Sequence, residues 1–273
     1  MDDEKTRAIS TALELASVLD PTSRYLPELV ELIEHTPEAQ QLRMLRTESR
    51  AAHLIPPEYL SHFSLTQFVE LSLVTPETAW MRFSRDEDAV LQKLLAQLPS
   101  HGVIVSLPCS TGLEVLSLLT LVLEARREPD LRIVGLDKNP ELYESIAAGR
   151  IPPTLFAAMP GRCRAILAPA GASTVRAELL KGVCFQPIDI RTLTPATALT
   201  ADLLLCRNLL GFFVPEVQVT ILQNCLSLIG PQTVLMFDEY AISSPKGRAV
   251  REWLHTGGFR AMQESGTIFL RPS

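Results

Sequence analysis

The 273-residue sequence predicts an α/β fold in which helices cover both faces of a largely parallel sheet. Three observations support this prediction: apolar runs of strand length recur from residue 100 onward, helical patterns separate them, and the chain finishes in a hairpin pattern. Parallel strands that are buried on both faces read as continuous apolar runs. The strand-like runs are 103–107, 133–136, 183–185, 201–206 and 233–237.

Helical patterns fill the intervals between these runs. They cover residues 113–126, 140–148, 215–228 and 246–256. Two short β-like runs then flank a turn at Glu264–Gly266. We therefore expect an antiparallel hairpin to complete the sheet.

The chain divides by texture into a helical part and an α/β part. Residues 1–75 have apolar side chains at helical spacing and predict a small helical domain. Residues 76–99 predict an interdomain segment and a helix, and residues 100–273 predict the α/β domain. Residues 151–182 break the strand–helix rhythm with four prolines and three glycines, so we expect a small inserted subdomain there.

Composition excludes several classes of function. With 25 basic and 31 acidic residues the formal charge is −6, which disfavours a protein that binds nucleic acid by neutralising phosphates. Aromatic residues make up only 6%, so platforms for base stacking are not expected. The five scattered cysteines form no CxxC and the five histidines show no ligand spacing, so we expect a cytoplasmic protein without a metal. No apolar run is long enough to span a bilayer.

Two polar features stand at the ends of the first two strands. Small residues, Pro108–Gly112, form the turn after the first strand and would let a ligand approach the backbone and a helix N-terminus. Asp137 ends the second strand, where a carboxylate can accept hydrogen bonds from both ribose hydroxyls. An ordinary strand–helix turn and a helix-capping aspartate are the alternatives. The absence of GxGxxG argues against a dinucleotide, and S-adenosylmethionine (SAM) fits a nucleoside without a pyrophosphate.

The same two features resemble motifs of one enzyme family. Ser110–Leu118, with the sequence STGLEVLSL, resembles the STGEExYSL motif of CheR-type chemotaxis receptor methyltransferases. Asp137–Leu142, followed by Gly149, resembles their DIDxxxLxxAxxG segment. The family resemblance implies SAM as the cofactor and S-adenosylhomocysteine as the product.

Two further segments match the family in order along the chain. Cys206–Phe213, followed by Gln218 and Ile221–Leu222, resembles the family's CRNVLIYF…Q…IL block. Glu77–Arg82 resembles its NET-x-FFR element. The resemblance covers roughly residues 75–273 and implies a class I SAM-dependent methyltransferase domain, with a Rossmann-like seven-stranded sheet, over residues 100–273.

The resemblance implies a role for each matching residue. Ser110, Thr111 and Gly112 would lie directly beneath the cofactor. Glu114 would bind its amino group and Asp137 its ribose. Asp189 takes the place of an asparagine in FxxxNL and would contact the adenine amino group. The implied cofactor-binding residues are Thr78, Arg82, Ser110, Thr111, Gly112, Glu114, Asp137, Asp189, Arg207 and Asn208. The catalytic candidates are Arg82, Arg207 and Phe212, which stands where the family has a tyrosine.

The resemblance implies methyl transfer to the glutamate side chains of a protein, with the cytoplasmic helices of a chemoreceptor as the expected partner. A glutamate carboxylate has a pKa near 4.3, so it is already a nucleophile at neutral pH. Arg82 is the first candidate to align that carboxylate and Arg207 is the second, with a salt-bridge role as the alternative for Arg207.

Departures from the motifs leave two other functions open. Leu113, Asn139 and Phe212 replace a glutamate, an aspartate and a tyrosine of the family pattern. They favour a regulatory protein of the same fold that binds SAM or S-adenosylhomocysteine, or a partner, with weakened catalysis. A methyltransferase for a small carboxylate or for another protein is the third reading.

Basic residues mark two candidate docking surfaces for a protein partner. Arg43, Arg46 and Arg50 would share one face of an N-terminal helix. A second set lies in or beside the inserted segment: Arg150, Arg162, Arg164, Arg176 and Lys181. Solvated surface charge is the alternative interpretation of both sets.

Overall fold

The computed structural model describes residues 79–126, 130–169, 171–190, 193, 199–262 and 265–270, and only the backbone of residues 141, 212 and 246. Apart from residues 212–214, they belong to one compact unit, Thr78–Gly211 with Pro215–Ser273. The predicted helical domain of residues 1–75, the arginines at positions 43, 46 and 50, and Thr78 lie outside the described residues.

Seven strands form one sheet in the order β3-β2-β1-β4-β5-β7-β6. The first five strands pair in parallel, and β7 pairs antiparallel with both β5 and β6. This topology confirms the predicted Rossmann-like fold and its closing hairpin. The strands are β1 Val103–Ser106, β2 Arg132–Asp137, β3 Val183–Pro187, β4 Ala201–Cys206, β5 Ile229–Phe237, β6 Arg260–Met262 and β7 Ser265–Leu270.

Strand β1 lies in the interior of the sheet, with β2 on one side and the central strand β4 on the other. From β1 the chain adds β2 and β3 on one side of the sheet and then crosses over to add β4 and β5 on the other side. The strand order therefore reverses between β1 and β4. In open α/β sheets this reversal leaves a crevice at the carboxyl ends of the strands, where ligands bind. Residues that directly follow β1, β2 and β4 must consequently lie along one edge of the sheet.

Eight α-helices lie in the described residues. They are α1 Arg85–Gln97, α2 Leu113–Ala125, α3 Pro140–Ala147, α4 Pro153–Ala157, α5 Gly161–Leu167, α6 Pro215–Cys225, α7 Glu239–Ser243 and α8 Arg248–Thr256. Helix α1 starts with a capping box, because Ser84 Oγ accepts the Glu87 N–H and the Glu87 carboxylate accepts the Ser84 N–H. Short 3₁₀ turns cover Ala177–Gly182, Leu210–Phe212, Leu226–Leu228 and Pro245–Gly247.

Helix α2 is the central helix of the core. Nine of its thirteen residues are buried, including Ser117 and Thr120. Both hydroxyls donate to the carbonyl oxygens four residues earlier, at Leu113 and Leu116, so their burial leaves no donor unpaired. Such an almost wholly apolar helix suits a position between other layers and not a solvent-facing one.

Strand β5 and helices α6 and α8 show how the ends of elements differ from the sequence prediction. Strand β5 begins at Ile229, four residues before the predicted start, because Gly230, Pro231 and Gln232 carry no apolar signal. The helix predicted over 215–228 ends at Cys225 and continues as a 3₁₀ turn to Leu228. The last helix begins at Arg248 because a 3₁₀ turn occupies Pro245–Gly247.

The segment 151–182 contains helices α4 and α5 and the 3₁₀ turn Ala177–Gly182, joined by irregular backbone in its other described residues. One isolated antiparallel bridge joins Arg150, just before the segment, to Thr174 within it. Arg162 on α5 binds carboxylates of α1 and α2. The basic side chain that sequence reasoning assigned to a docking surface therefore fastens this segment to the core instead.

Candidate active site

The turn after β1 has a backbone shape that few residues tolerate. A cis peptide joins Leu107 to Pro108, Ser110 has φ +49° and Gly112 has φ +86°. A Cβ on Gly112 would come within 3.1 Å of Ile146 and the Phe185 ring. Glycine is therefore required at the position where the turn enters α2.

Asp137 holds this turn in place from the end of β2. Its Oδ2 accepts the Ser110 N–H at 2.8 Å and its Oδ1 accepts the Asn139 N–H at 3.0 Å. Burial raises the pKa of the Asp137 carboxyl, and the two backbone N–H groups oppose that rise. The charge of Lys138 lowers this pKa, and the weaker effect of the Asp189 charge raises it.

Glu114 lies in the first turn of α2 and is held from two sides. The Ser106 hydroxyl donates to its Oε1 at 2.7 Å, and Arg207 Nη1 donates to its Oε2 at 3.3 Å. Because β1 and β4 are neighbours, Ser106 at the end of β1 and Arg207 directly after β4 reach the same carboxylate. Its side chain remains 17% exposed.

Arg207 is buried among partners of its own chain. Only 7% of the residue is exposed, and its guanidinium lies 4.9 Å from the centre of the Phe83 ring. Nη2 donates to the carbonyl oxygen of Arg82 and lies 3.8 Å from a carboxylate oxygen of Glu87. These contacts favour the salt-bridge interpretation of Arg207 over direct contact with a substrate.

Arg82 and Asn208 meet beside this cluster. Arg82 Nη2 donates to Asn208 Oδ1 at 3.1 Å. Asn208 has φ +52°, and its N–H donates to Asp238 Oδ2 at 2.8 Å. Asp238 in turn caps α7 by accepting the Ala241 N–H. Asp238, directly after β5, thus holds the backbone of Asn208, whose side chain accepts the hydrogen bond from Arg82.

The structure places the sequence-predicted residues along one edge of the sheet. Ser110, Thr111, Gly112, Asp137 and Asp189 lie around the ends of β1, β2 and β3. Arg82, Glu114, Arg207 and Asn208 gather around the ends of β1 and β4. Of Phe212 only the backbone is described, so its role stays a prediction.

Two site residues were missed by sequence reasoning, Glu87 and Asp238. Glu87 could have been found through the Ser84-Arg85-Asp86-Glu87 capping-box pattern, and Asp238 through its position directly after an apolar strand. Neither signal would have revealed that Glu87 faces Arg207.

The residues present fit an adenosine with a cationic amino-acid tail. Ser110 Oγ is buried and has no hydrogen-bond partner among the described residues. Because buried hydroxyls are normally hydrogen-bonded, this group suits a contact with a ligand. Each Asp137 oxygen accepts one N–H and keeps a lone pair for a ribose hydroxyl. The partly exposed Glu114 carboxylate suits an ammonium group.

The buried thiol of Cys109, within the turn after β1, does not suit nucleophilic chemistry. Burial, together with the charges of Asp137 and Glu114, raises the pKa of Cys109 well above its ordinary value. The thiol form is therefore strongly favoured, and it is a weak nucleophile. All five cysteines are free.

The sheet and the site together define a SAM-dependent methyltransferase of the Rossmann-like class. Residues 77–239 match the family described as "CheR methyltransferase, SAM binding domain". This match spans more than half of the sequence, and the chain therefore belongs to the CheR methyltransferases, with SAM as its cofactor.

The chain is also similar in sequence to part of a much longer protein. The chain is 27% identical over 208 residues to an uncharacterized 104.1 kDa protein in the hypE 3' region of Rhodobacter capsulatus. That match covers 69% of this chain and 21% of the relative, so the chain spans about a fifth of the relative's length.

Two of the solved structures with a similar fold are methyltransferases of low sequence identity to this chain. The magnesium protoporphyrin IX methyltransferase of Synechocystis PCC 6803 with bound SAM is 16% identical, with a TM-score of 0.41, 68% of this chain covered and 77% of that one. An O-methyltransferase family protein from Burkholderia thailandensis is 14% identical, with a TM-score of 0.42 and coverage of 90% and 72%.

The described residues contain no helix that is long and apolar enough to cross a membrane. They also contain no group of three or more histidine, cysteine, aspartate or glutamate side chains that could hold a metal ion.

Proposed function

We propose that this protein transfers the methyl group of SAM to glutamate side chains of a protein in the cytoplasm, and that the substrate is the cytoplasmic helical region of a chemoreceptor. The pairing of Arg82 with Asn208 beside Glu114 carries this proposal. It offers a guanidinium for an acceptor carboxylate next to the carboxylate that would receive the cofactor's ammonium group.

A carboxylate acceptor suits a site without a general base. The two described histidines lie away from this edge, because His101 precedes β1 and His255 is in the last turn of α8. A glutamate with an ordinary pKa near 4.3 is already ionised at pH 7 and needs no proton removed. The bound cofactor supplies a methyl group on a sulfonium, which is a good leaving group.

The chain's own residues then bind and orient. Asp137 accepts hydrogen bonds from the ribose, Ser110 and Gly112 shape the surface beneath it, and Glu114 receives the ammonium group. Arg82 aligns the acceptor carboxylate through parallel N–H donors, while Asn208 fixes the orientation of Arg82. Arg207 keeps Glu114 in place. We further propose that Thr78, Thr111 and Asp189 contact the cofactor as the family motifs imply.

Leu113, which stands where the family motif has a glutamate, is compatible with catalysis in this proposal. Its side chain packs in the core with 1% exposure, so it does not occupy the crevice. Phe212 lacks the hydroxyl of the family's tyrosine, and a lost neutral hydrogen bond costs only about 1 kcal/mol. The regulatory alternative therefore depends mainly on Phe212 and Asn139.

Two measurements test the proposal in sequence. Calorimetry with S-adenosylhomocysteine should show binding, and radiolabelled methyl from SAM should appear on a purified chemoreceptor cytoplasmic fragment as base-labile ester that releases methanol. Arg82→Ala should lower transfer about 100-fold, because a charge-assisted pair is worth roughly 1.5–3 kcal/mol. The exposed neighbour Arg85→Ala should leave the rate unchanged.

The outcomes separate the candidate functions. Binding of S-adenosylhomocysteine without label on any receptor fragment would favour the regulatory protein. Label on a small carboxylate or on an unrelated protein would overturn the choice of substrate only. Absence of nucleoside binding would refute the proposal as a whole.

A further inference from the structure

Glu87 is a buried carboxylate that no sequence motif assigned to the site. It is 8% exposed and lies in the first turn of α1. Its Oε2 accepts the Ser84 N–H at 2.7 Å, and its Oε1 accepts the Thr267 hydroxyl at 2.6 Å. The Thr267 contact joins α1 to β7 across 180 residues of sequence. Glu87 is thus fixed from both sides.

The orientation of Glu87 brings a second carboxylate to one guanidinium. Arg207 Nη2 lies 3.8 Å from Glu87 Oε2, and Arg207 Nη1 lies 3.3 Å from Glu114 Oε2. Two carboxylates therefore share one arginine, and this set of three side chains carries a net charge of −1 when all are ionised. Charges at this depth are screened much less than charges on the surface.

A single bound cation would neutralise the set. The ammonium group of the cofactor's amino-acid end carries one positive charge, and Glu114 is the member of the set with the greatest side-chain exposure. Without the charge of Glu87, Arg207 and Glu114 would already be neutral as a pair. An ammonium group arriving at Glu114 would then leave a net positive charge in a poorly hydrated place, which is unfavourable.

We propose that Glu87 is a positioning residue that offsets the charge of Arg207, so that Glu114 keeps its negative charge available for the cofactor's ammonium group. This inference rests on the proposed contact between Glu114 and that group. Glu87 acts through Arg207 and touches neither substrate nor cofactor.

Glu87→Gln tests the inference because it removes the charge and keeps the shape. The glutamine oxygen can still accept the Ser84 N–H, and its amide can donate to Thr267 Oγ1. Calorimetry should compare S-adenosylhomocysteine with 5′-methylthioadenosine, which shares the nucleoside and lacks the amino-acid end. We expect about a tenfold loss of affinity for the first ligand and less than a twofold change for the second.

Matched variants separate charge from structural damage. The measured quantity is the affinity for S-adenosylhomocysteine divided by the affinity for 5′-methylthioadenosine. Asp88→Asn removes a neighbouring charge that pairs with Arg162 and not with Arg207, so it should leave this ratio unchanged. Glu87→Asp keeps the charge and should retain more of the ratio than Glu87→Gln. Equal weakening of both ligands in Glu87→Gln, with no recovery in Glu87→Asp, would show a structural role and overturn the inference.

Glu114→Gln distinguishes failure of the inference from failure of the proposed contact. If Glu114→Gln leaves the ratio of affinities unchanged, Glu114 does not receive the ammonium group and both ideas fail. If it lowers the ratio while Glu87→Gln does not, the contact stands and the role of Glu87 is wrong.

Discussion

The buried carboxyl of Asp137 lowers the stability of the fold at neutral pH but suits ligand binding. Burial raises the pKa of its carboxyl, with the charge of Asp189 adding to the rise, so the folded chain favours the protonated form more than an unfolded chain does. The resulting stability is present below the ordinary aspartate pKa and is lost as pH rises through the raised pKa. At neutral pH the ionised group therefore costs folding energy and is available as a hydrogen-bond acceptor.

We predict that affinity for S-adenosylhomocysteine falls on acidification at a higher pH than an ordinary aspartate would cause. Protonation turns one acceptor oxygen into a donor, and a ribose hydroxyl then loses its partner. Asp137→Asn should bind about 10–100-fold more weakly and lose this pH dependence. Calorimetry from pH 8 to pH 5 measures both effects. An unchanged slope in the variant would assign the titration to another group.

Gly112 is the second residue whose environment leads to a prediction. Gly112→Ala forces a side chain into φ +86° and brings its Cβ to 3.1 Å from Ile146 and Phe185. The free energy of unfolding should fall by about 1–3 kcal/mol, as measured by urea unfolding. Gly161→Ala is the control, because its Cβ would meet nothing within 4 Å and it begins helix α5. Equal losses in both variants would refute the argument from backbone shape.

The position of helix α5 depends on the ion pairs of one arginine, Arg162. Arg162 Nη1 donates to Asp88 on α1 at 2.6 Å, and Arg162 Nε donates to Glu124 on α2 at 2.9 Å. Both carboxylates raise the pKa of Arg162, so its charge is held firmly. A seven-residue helix has little stability of its own, and its place is fixed by contacts of this kind.

We predict that Arg162→Ala lowers the free energy of unfolding by roughly 1–2 kcal/mol, since two charge-assisted pairs are lost and solvent partly screens each of them. The loss should shrink in high salt. Urea unfolding at low and high salt measures it. Arg248→Ala breaks a fully exposed pair with Glu252 and should change nothing measurable. A loss that is independent of salt would point to packing and not to charge.

At the scale of the whole molecule, local sequence patterns predict the strands and the edge of the sheet that carries the site. Continuous apolar runs located the parallel strands, and the topology of such strands brings Asp137 and Gly112 to one edge. The contacts that were missed join distant parts of the chain, such as Thr267 with Glu87 and Arg207 with Glu114. Spacing along the sequence carries no information about these partners, because only the assembled sheet brings them together.

The whole folded unit should be stabilised by its ligand. S-adenosylhomocysteine at 100 times its dissociation constant should raise the free energy of unfolding by about 2.7 kcal/mol, because it binds only the folded state. Urea unfolding followed by tryptophan fluorescence reports this directly, since both tryptophans, Trp80 and Trp253, lie in the described unit. Asp137→Asn at the same ligand concentration should gain less than about 1.5 kcal/mol. An equal gain in both proteins would show that the nucleoside binds away from the carboxyl end of β2.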